Sequence, residues 1–240
     1  MNRNKFYVDD METIDPKRVG ELHMLILLLL DTSGSMQGTA IRNLQTSVNR
    51  FKNDIITNPK VADIVDICVM GFNGEPYLIQ NWRPVSEMNE VNLTATGGTN
   101  LTAALEGALS KMRERTDQAY QDGVEIRVPW IILISDGYGG DVTEIGKVMR
   151  HRNDTKRSKL WFLGAQGYDK ETAAKLTDGK CVFELTDEAG YDFTQFFDFM
   201  SESIKTVSLS RLGEHIHVDD PTEKPGATIR KANLDDWLND

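Results

Sequence analysis

The 240 residues carry 27 Lys and Arg against 37 Asp and Glu, a formal charge of −10. That balance argues against non-specific binding to nucleic acid or to an anionic membrane surface, and 40% hydrophobic content excludes global disorder. The two cysteines, Cys68 and Cys181, both expected inside strands, need no oxidising compartment and read as small core hydrophobes.

Residues 1–20 are polar, with Pro16 and Gly20 as breakers, and read as an N-terminal arm. They hold no apolar signal segment, and no run is long enough to span a bilayer, so the expectation is a cytoplasmic protein without a membrane anchor. The first strand is expected from about His23 to Leu30. Its six consecutive aliphatics, Leu25 to Leu30, suit a strand buried on both faces. It stops at Asp31, and DTSGSM follows. Ile41, Leu44, Val48, Phe51 and Ile55 then mark a helix from Thr39 to about Thr57, ended by Asn58-Pro59. Strands at 64–72 and 77–82, joined by the Asn73-Gly74 turn, predict an antiparallel hairpin at one edge of the sheet.

Thr96-Gly97-Gly98-Thr99-Asn100 opens a helix over 101–122, and Val128 to Ser135 is another buried strand, ending at Asp136 and Gly137. A helix is expected over 142–151, a strand over 160–165, a short helix over 170–176, a strand over 181–185 and a phenylalanine-rich helix over 191–207. Strands alternating with helices predict a doubly wound α/β domain, Rossmann-like, with a mostly parallel six-stranded sheet and one antiparallel edge strand. The expected division is an arm over 1–20, the domain over 21–208 and an acidic C-terminal tail over 209–240. Within that tail Leu234, Trp237 and Leu238 form a short amphipathic pattern among acids, which could pack on the domain or serve as a partner peptide.

Three loops follow buried strands on one sheet edge, where α/β sheets bind ligands. They bring Asp31, Ser33 and Ser35, then Thr99 behind two glycines, then Asp136. Two carboxylates and three hydroxyls, with no His or Cys, are a hard-oxygen set suited to Mg²⁺, or to Mn²⁺ or Ca²⁺ with less discrimination. Any one loop read alone is as well explained by capping and turn chemistry. DTSGSM, TGGT and ISDG in this order resemble the metal-ion-dependent adhesion site of von Willebrand factor type A (vWA) domains, whose pattern D-x-S-x-S, Thr, Asp is filled by Asp31, Ser33, Ser35, Thr99 and Asp136. Thr102 is the less suitable candidate for the threonine. The resemblance implies direct metal binding by Ser33 and Ser35, binding partly through water by Asp31 and Asp136, and an open position for a carboxylate from another protein. It implies a binding module rather than an enzyme. Chain length and the LTATGGTNLTAAL stretch resemble the bacterial TerY-like proteins of tellurium-resistance and stress systems.

The enzymatic alternative is a Mg²⁺-dependent phosphoryl-transfer enzyme of haloacid-dehalogenase type. That chemistry needs a second acid two residues after Asp31, where this chain has Ser33. A serine hydrolase lacks its G-x-S-x-G elbow. The basic run Lys147, Arg150, His151, Arg152, Lys156, Arg157 and Lys159 reads as the solvated end of a helix, and His215-Ile216-His217 as incidental.

Overall fold

The computed structural model describes residues 20–211, 220–223, 226–234 and 238. Its centre is β1, Met24–Asp31, in which all eight side chains are buried. Alternation along the strand explains the unbroken aliphatic run. Met24, Ile26, Leu28 and Leu30 face one core cluster, while Leu25, Leu27 and Leu29 face the other. On the first face lie α1, Thr39–Ile56, and α6, Thr194–Leu209, joined by the Phe51–Phe197 contact with ring centroids 5.3 Å apart. The opposite face is covered by α3, Leu101–Gln121, α4, Thr143–Asp154, and α5, Lys170–Thr177.

The other strands are β2, Val65–Phe72, β3, Pro76–Pro84, β4, Trp130–Ser135, β5, Lys159–Gly164, β6, Val182–Leu185, and β7, Ile229–Lys231. Seven strands lie in the order β3-β2-β1-β4-β5-β6-β7. The doubly wound, mostly parallel sheet is as expected, and β2 and β3 form the expected antiparallel hairpin. Both edges are antiparallel rather than one, because β7 comes from the segment read as tail. Its three residues are too few to show a period. A short helix α2, Pro59–Ile64, also follows α1. Pro59 occupies its first turn, and the Asn58 side chain accepts the backbone N–H of Val61, so the residues read as a stop also start a helix. Cys181 lies one residue outside β6, with φ of 58°. His215, His217 and Trp237 lie outside the described residues. Among the described residues no helix is long and apolar enough to cross a membrane.

The β7 strap is held by polar ties. The Gln195 carboxamide oxygen accepts from the backbone N–H of Thr228 at 2.6 Å and of Ile229 at 3.1 Å. Arg230 Nε donates to Glu184 Oε1 at 2.5 Å, Tyr168 Oη donates to Glu184 Oε2 at 2.7 Å, and Lys231 pairs with Asp220. Burial alone would raise the Glu184 carboxyl, but the bonds from Tyr168 and Arg230 outweigh it and hold it below the usual range. The Lys231 ammonium pulls Asp220 down to about 2. Carboxylates depressed in the folded state contribute stability above their unfolded values, near 4, and lose it as pH falls through the folded values. The β6–β7 amides are therefore expected to lose hydrogen-exchange protection between about pH 4 and pH 2 while β1 keeps its own. Unchanged β7 protection down to pH 2, after correction for intrinsic exchange, would contradict this.

Candidate metal centre

The loop after β1 is built around one buried carboxylate. Asp31 ends the strand with no exposed surface. Its Oδ1 accepts the backbone N–H of Ser33 at 2.9 Å, and its Oδ2 accepts the Ser135 hydroxyl at 2.7 Å. Ser135 in turn accepts the backbone N–H of Gly137 at 2.9 Å, so the ends of β1 and β4 are joined by one side chain. Beyond Ser33 the chain enters a 3₁₀ turn, Gly34–Met36, which presents the next hydroxyl. Ser33 Oγ lies 3.0 Å from Ser35 Oγ, and the Ser35 hydroxyl donates to Asp136 Oδ2 at 2.5 Å. Asp136 Oδ1 accepts the backbone N–H of Tyr138 at 3.1 Å, and the Asp136 carbonyl accepts from Asp169 at 2.8 Å.

Two backbone bonds pin the second loop beside the first. Thr96 N–H donates to the Thr32 carbonyl at 2.8 Å, and Gly34 N–H donates to the Gly97 carbonyl at 2.9 Å. A Cβ on Gly34 would stand 3.1 Å from that carbonyl, a contact tight enough that the neighbouring loop would have to give by a few tenths of an ångström. Thr32 is itself anchored, donating its hydroxyl to the Phe72 carbonyl at 2.9 Å and accepting from Tyr77 Oη at 2.9 Å. Thr99 is half-buried on the pinned loop, and its Cγ2 lies 2.9 Å from where a Cβ on Gly139 would sit. Of the five residues, four form one hydrogen-bonded chain; Thr99 stands on the adjoining loop without a bond to them. Thr102 is engaged elsewhere, donating to the Asp141 carbonyl at 2.9 Å.

Burial pushes the Asp31 carboxyl above its ordinary value and the nearby Asp136 charge adds to this, while the bonds from Ser135 and Ser33 pull it back. Among the described residues neither Asp31 nor Asp136 has an ion-pair partner, although both are more than nine-tenths buried. Two buried acids without a counter-charge are costly, and a divalent cation relieves that cost. The donor chemistry fits such an ion. An octahedron with bonds of about 2.1 Å places adjacent oxygens about 3 Å apart, the separation of the two serine oxygens. Two carboxylates and three hydroxyls, with no His or Cys among them, make the set a hard-oxygen one. Ser135 is the residue that sequence reasoning passed over: it stands inside ISDG, but as the last residue of an apolar run it read as strand.

Residues 26–138 match the family model described as the von Willebrand factor type A domain. Among solved structures, the pilus adhesin SpaC from Lactobacillus rhamnosus GG is 12% identical, with 78% of this chain and 30% of that chain covered and a TM-score of 0.63. The PilB minor pilin from Streptococcus sanguinis is 15% identical, with 78% and 62% covered and a TM-score of 0.56. A von Willebrand factor type A protein from Catenulispora acidiphila is 14% identical, with 76% and 43% covered and a TM-score of 0.55. These likenesses establish a shared fold, and the chain spans less than two thirds of each of the three. No curated protein matches the sequence.

Proposed function

We propose, from the match of residues 26–138 to the von Willebrand factor type A family model, that the chain is a protein-binding module that captures an Asp or Glu of its partner at the centre formed by Asp31, Ser33, Ser35, Thr99 and Asp136. The observation that carries this reading is the pair of buried carboxylates with no ion-pair partner among the described residues, joined at one lip of the sheet through the Ser33 backbone N–H and the Ser33 and Ser35 hydroxyls. Two solved relatives are named as a pilus adhesin and a minor pilin, and binding another molecule is the class of activity taken over here. The TerY-like features of the sequence support assigning that binding to a bacterial tellurium-resistance or stress system, within the cytoplasm.

Ser33, Ser35 and Thr99 would offer neutral hydroxyl oxygens to the metal. Asp136 would complete the set, and Asp31 would act at one remove, since both of its oxygens already accept hydrogen bonds from the protein. A bound Mg²⁺, or Mn²⁺ or Ca²⁺, supplies a hard positive charge that a partner carboxylate can ligate. The chain's own part is preorganisation: Asp31 fixes the loop before any partner arrives, and Ser135 and the Gly34–Gly97 bond keep the three loops in register. The burial of Asp31 also supports binding over phosphoryl transfer, because a carboxylate nucleophile has to reach a substrate. The test is affinity capture from cells with Mg²⁺ present, followed by chelator elution and mass spectrometry. Partners expected from this reading leave the column with chelator and are not captured by the Asp31→Ala protein. Capture that persists in excess chelator would refute it, and so would phosphatase turnover that is lost in Asp31→Asn.

A further inference from the structure

At the end of the sheet away from the hydroxyl-lined loops, where β4 begins, the structure gathers positive charge that the primary sequence scatters. A cleft of about 370 Å³ is lined by Arg113 of α3, Arg127 ahead of β4, and Arg152, Lys156 and Arg157 at the end of α4 and just beyond it. Among the described residues none of these five cations forms an ion pair; the one carboxylate on the wall is Asp117. Such a concentration in a chain of net charge −10 is a local device rather than background.

The solvated-helix-end reading accounts for only part of it. The carbonyls at the end of α4 are already satisfied by backbone: Lys156 N–H donates to Asn153, and Arg157 and Ser158 N–H donate to Arg152, through a left-handed residue at Lys156 with φ of 54°. Arg113 lies within α3, away from either end of that helix, while Arg127 precedes β4 and closes the C-terminus of α6, its Nη2 reaching the Ser208 and Ser210 carbonyls. Two of the guanidiniums are held in place. Arg152 Nε donates to Ser158 Oγ at 3.0 Å, and Arg127 Nη2 donates to the Ser210 carbonyl at 2.5 Å while its buried Nε has no partner. Burial and the neighbouring charges of Arg113 and Arg157 hold Arg152 below the usual guanidinium range, as in a site whose cations repel one another.

We propose that this cleft binds a phosphorylated small molecule through its phosphate groups. Four guanidiniums to one ammonium is the composition that suits phosphate oxygens, which planar forks engage in pairs. The Thr116 hydroxyl adds a neutral donor, and Ile126, Val128 and Pro129 form an apolar wall against which an organic group can lie. The volume falls at the lower end of the range of small-ligand pockets.

Isothermal titration of the full chain in chelator, which keeps the hydroxyl-lined loops out of the measurement, tests the proposal with inorganic tripolyphosphate and with ATP as probes. Saturable binding that weakens with added salt is expected for both. Equal affinities would mean that the phosphates alone are read, and tighter ATP binding would add the apolar wall. Arg113→Gln with Arg157→Gln alters two exposed side chains and is expected to weaken binding about tenfold or more without lowering the melting temperature. Asp117→Asn is expected to tighten it. No saturable heat from either probe at millimolar concentration, or unchanged affinity in the double variant, would overturn the proposal.

Discussion

Mg²⁺ is expected to raise the melting temperature of the unsubstituted protein, and replacing Ser33 and Ser35 together with alanine is expected to abolish that rise. A ligand that binds only the folded state stabilises it by about 2.7 kcal/mol at a hundred times its dissociation constant. The variant loses the two neutral oxygens that stand 3.0 Å apart, and with them the bond from Ser35 to Asp136. Asp31 keeps both of its own hydrogen bonds, because they come from the Ser33 backbone and from Ser135. The loop is therefore expected to hold its shape, and the far-ultraviolet dichroism to stay unchanged. Differential scanning calorimetry with and without Mg²⁺ decides the matter. If the variant gains as much from Mg²⁺ as the parent, the ion binds elsewhere.

Asp66→Asn is expected to be the most damaging single substitution in the framework. Asp66 and Arg115 are almost wholly buried where β2 starts against α3, and Arg115 Nη2 donates to Asp66 Oδ2 at 3.0 Å. His23 Nδ1 lies 3.7 Å from the same oxygen. The asparagine removes one charge of this buried pair, a change that costs about 3–5 kcal/mol in comparable pairs. At roughly 2–4 °C per kcal/mol for a domain of this size, the melting temperature falls by roughly 6–20 °C. Removing both charges, with Asp66→Leu and Arg115→Leu together, is expected to restore much of that loss, because the buried pair is then replaced as a unit by apolar side chains. A drop of less than about 2 °C in Asp66→Asn would mean that the carboxylate does not carry the pair.

The elements that were legible in the sequence are those whose signal is local. Six aliphatics in a row dictate a strand covered on both sides, and an acid directly after such a run marks the lip of a sheet. Hence β1, β4 and the residues at their ends could be read from spacing alone. What escaped depends on contacts between distant segments. Ser135 matters because Asp31 lies across from it, 104 residues earlier in the chain. The strand β7 is three residues long and owes its form to β6 and to the Gln195 side chain. The same holds for the basic cleft: Arg113 and Arg127 meet the α4 cations only after the strands have aligned α3 with α4, so the linear run looked like an ordinary helix end.

The short last strand also bears on how copies of this molecule meet one another. Had the sheet stopped at β6, a row of open amide and carbonyl groups would invite any passing extended chain to continue the ladder. Instead the margin is a three-residue strap whose Arg230 and Lys231 are paired with Glu184 and Asp220, too short to template an addition. At this margin a second sheet finds little ladder to extend, and the longer border is the nine-residue β3 on the other side.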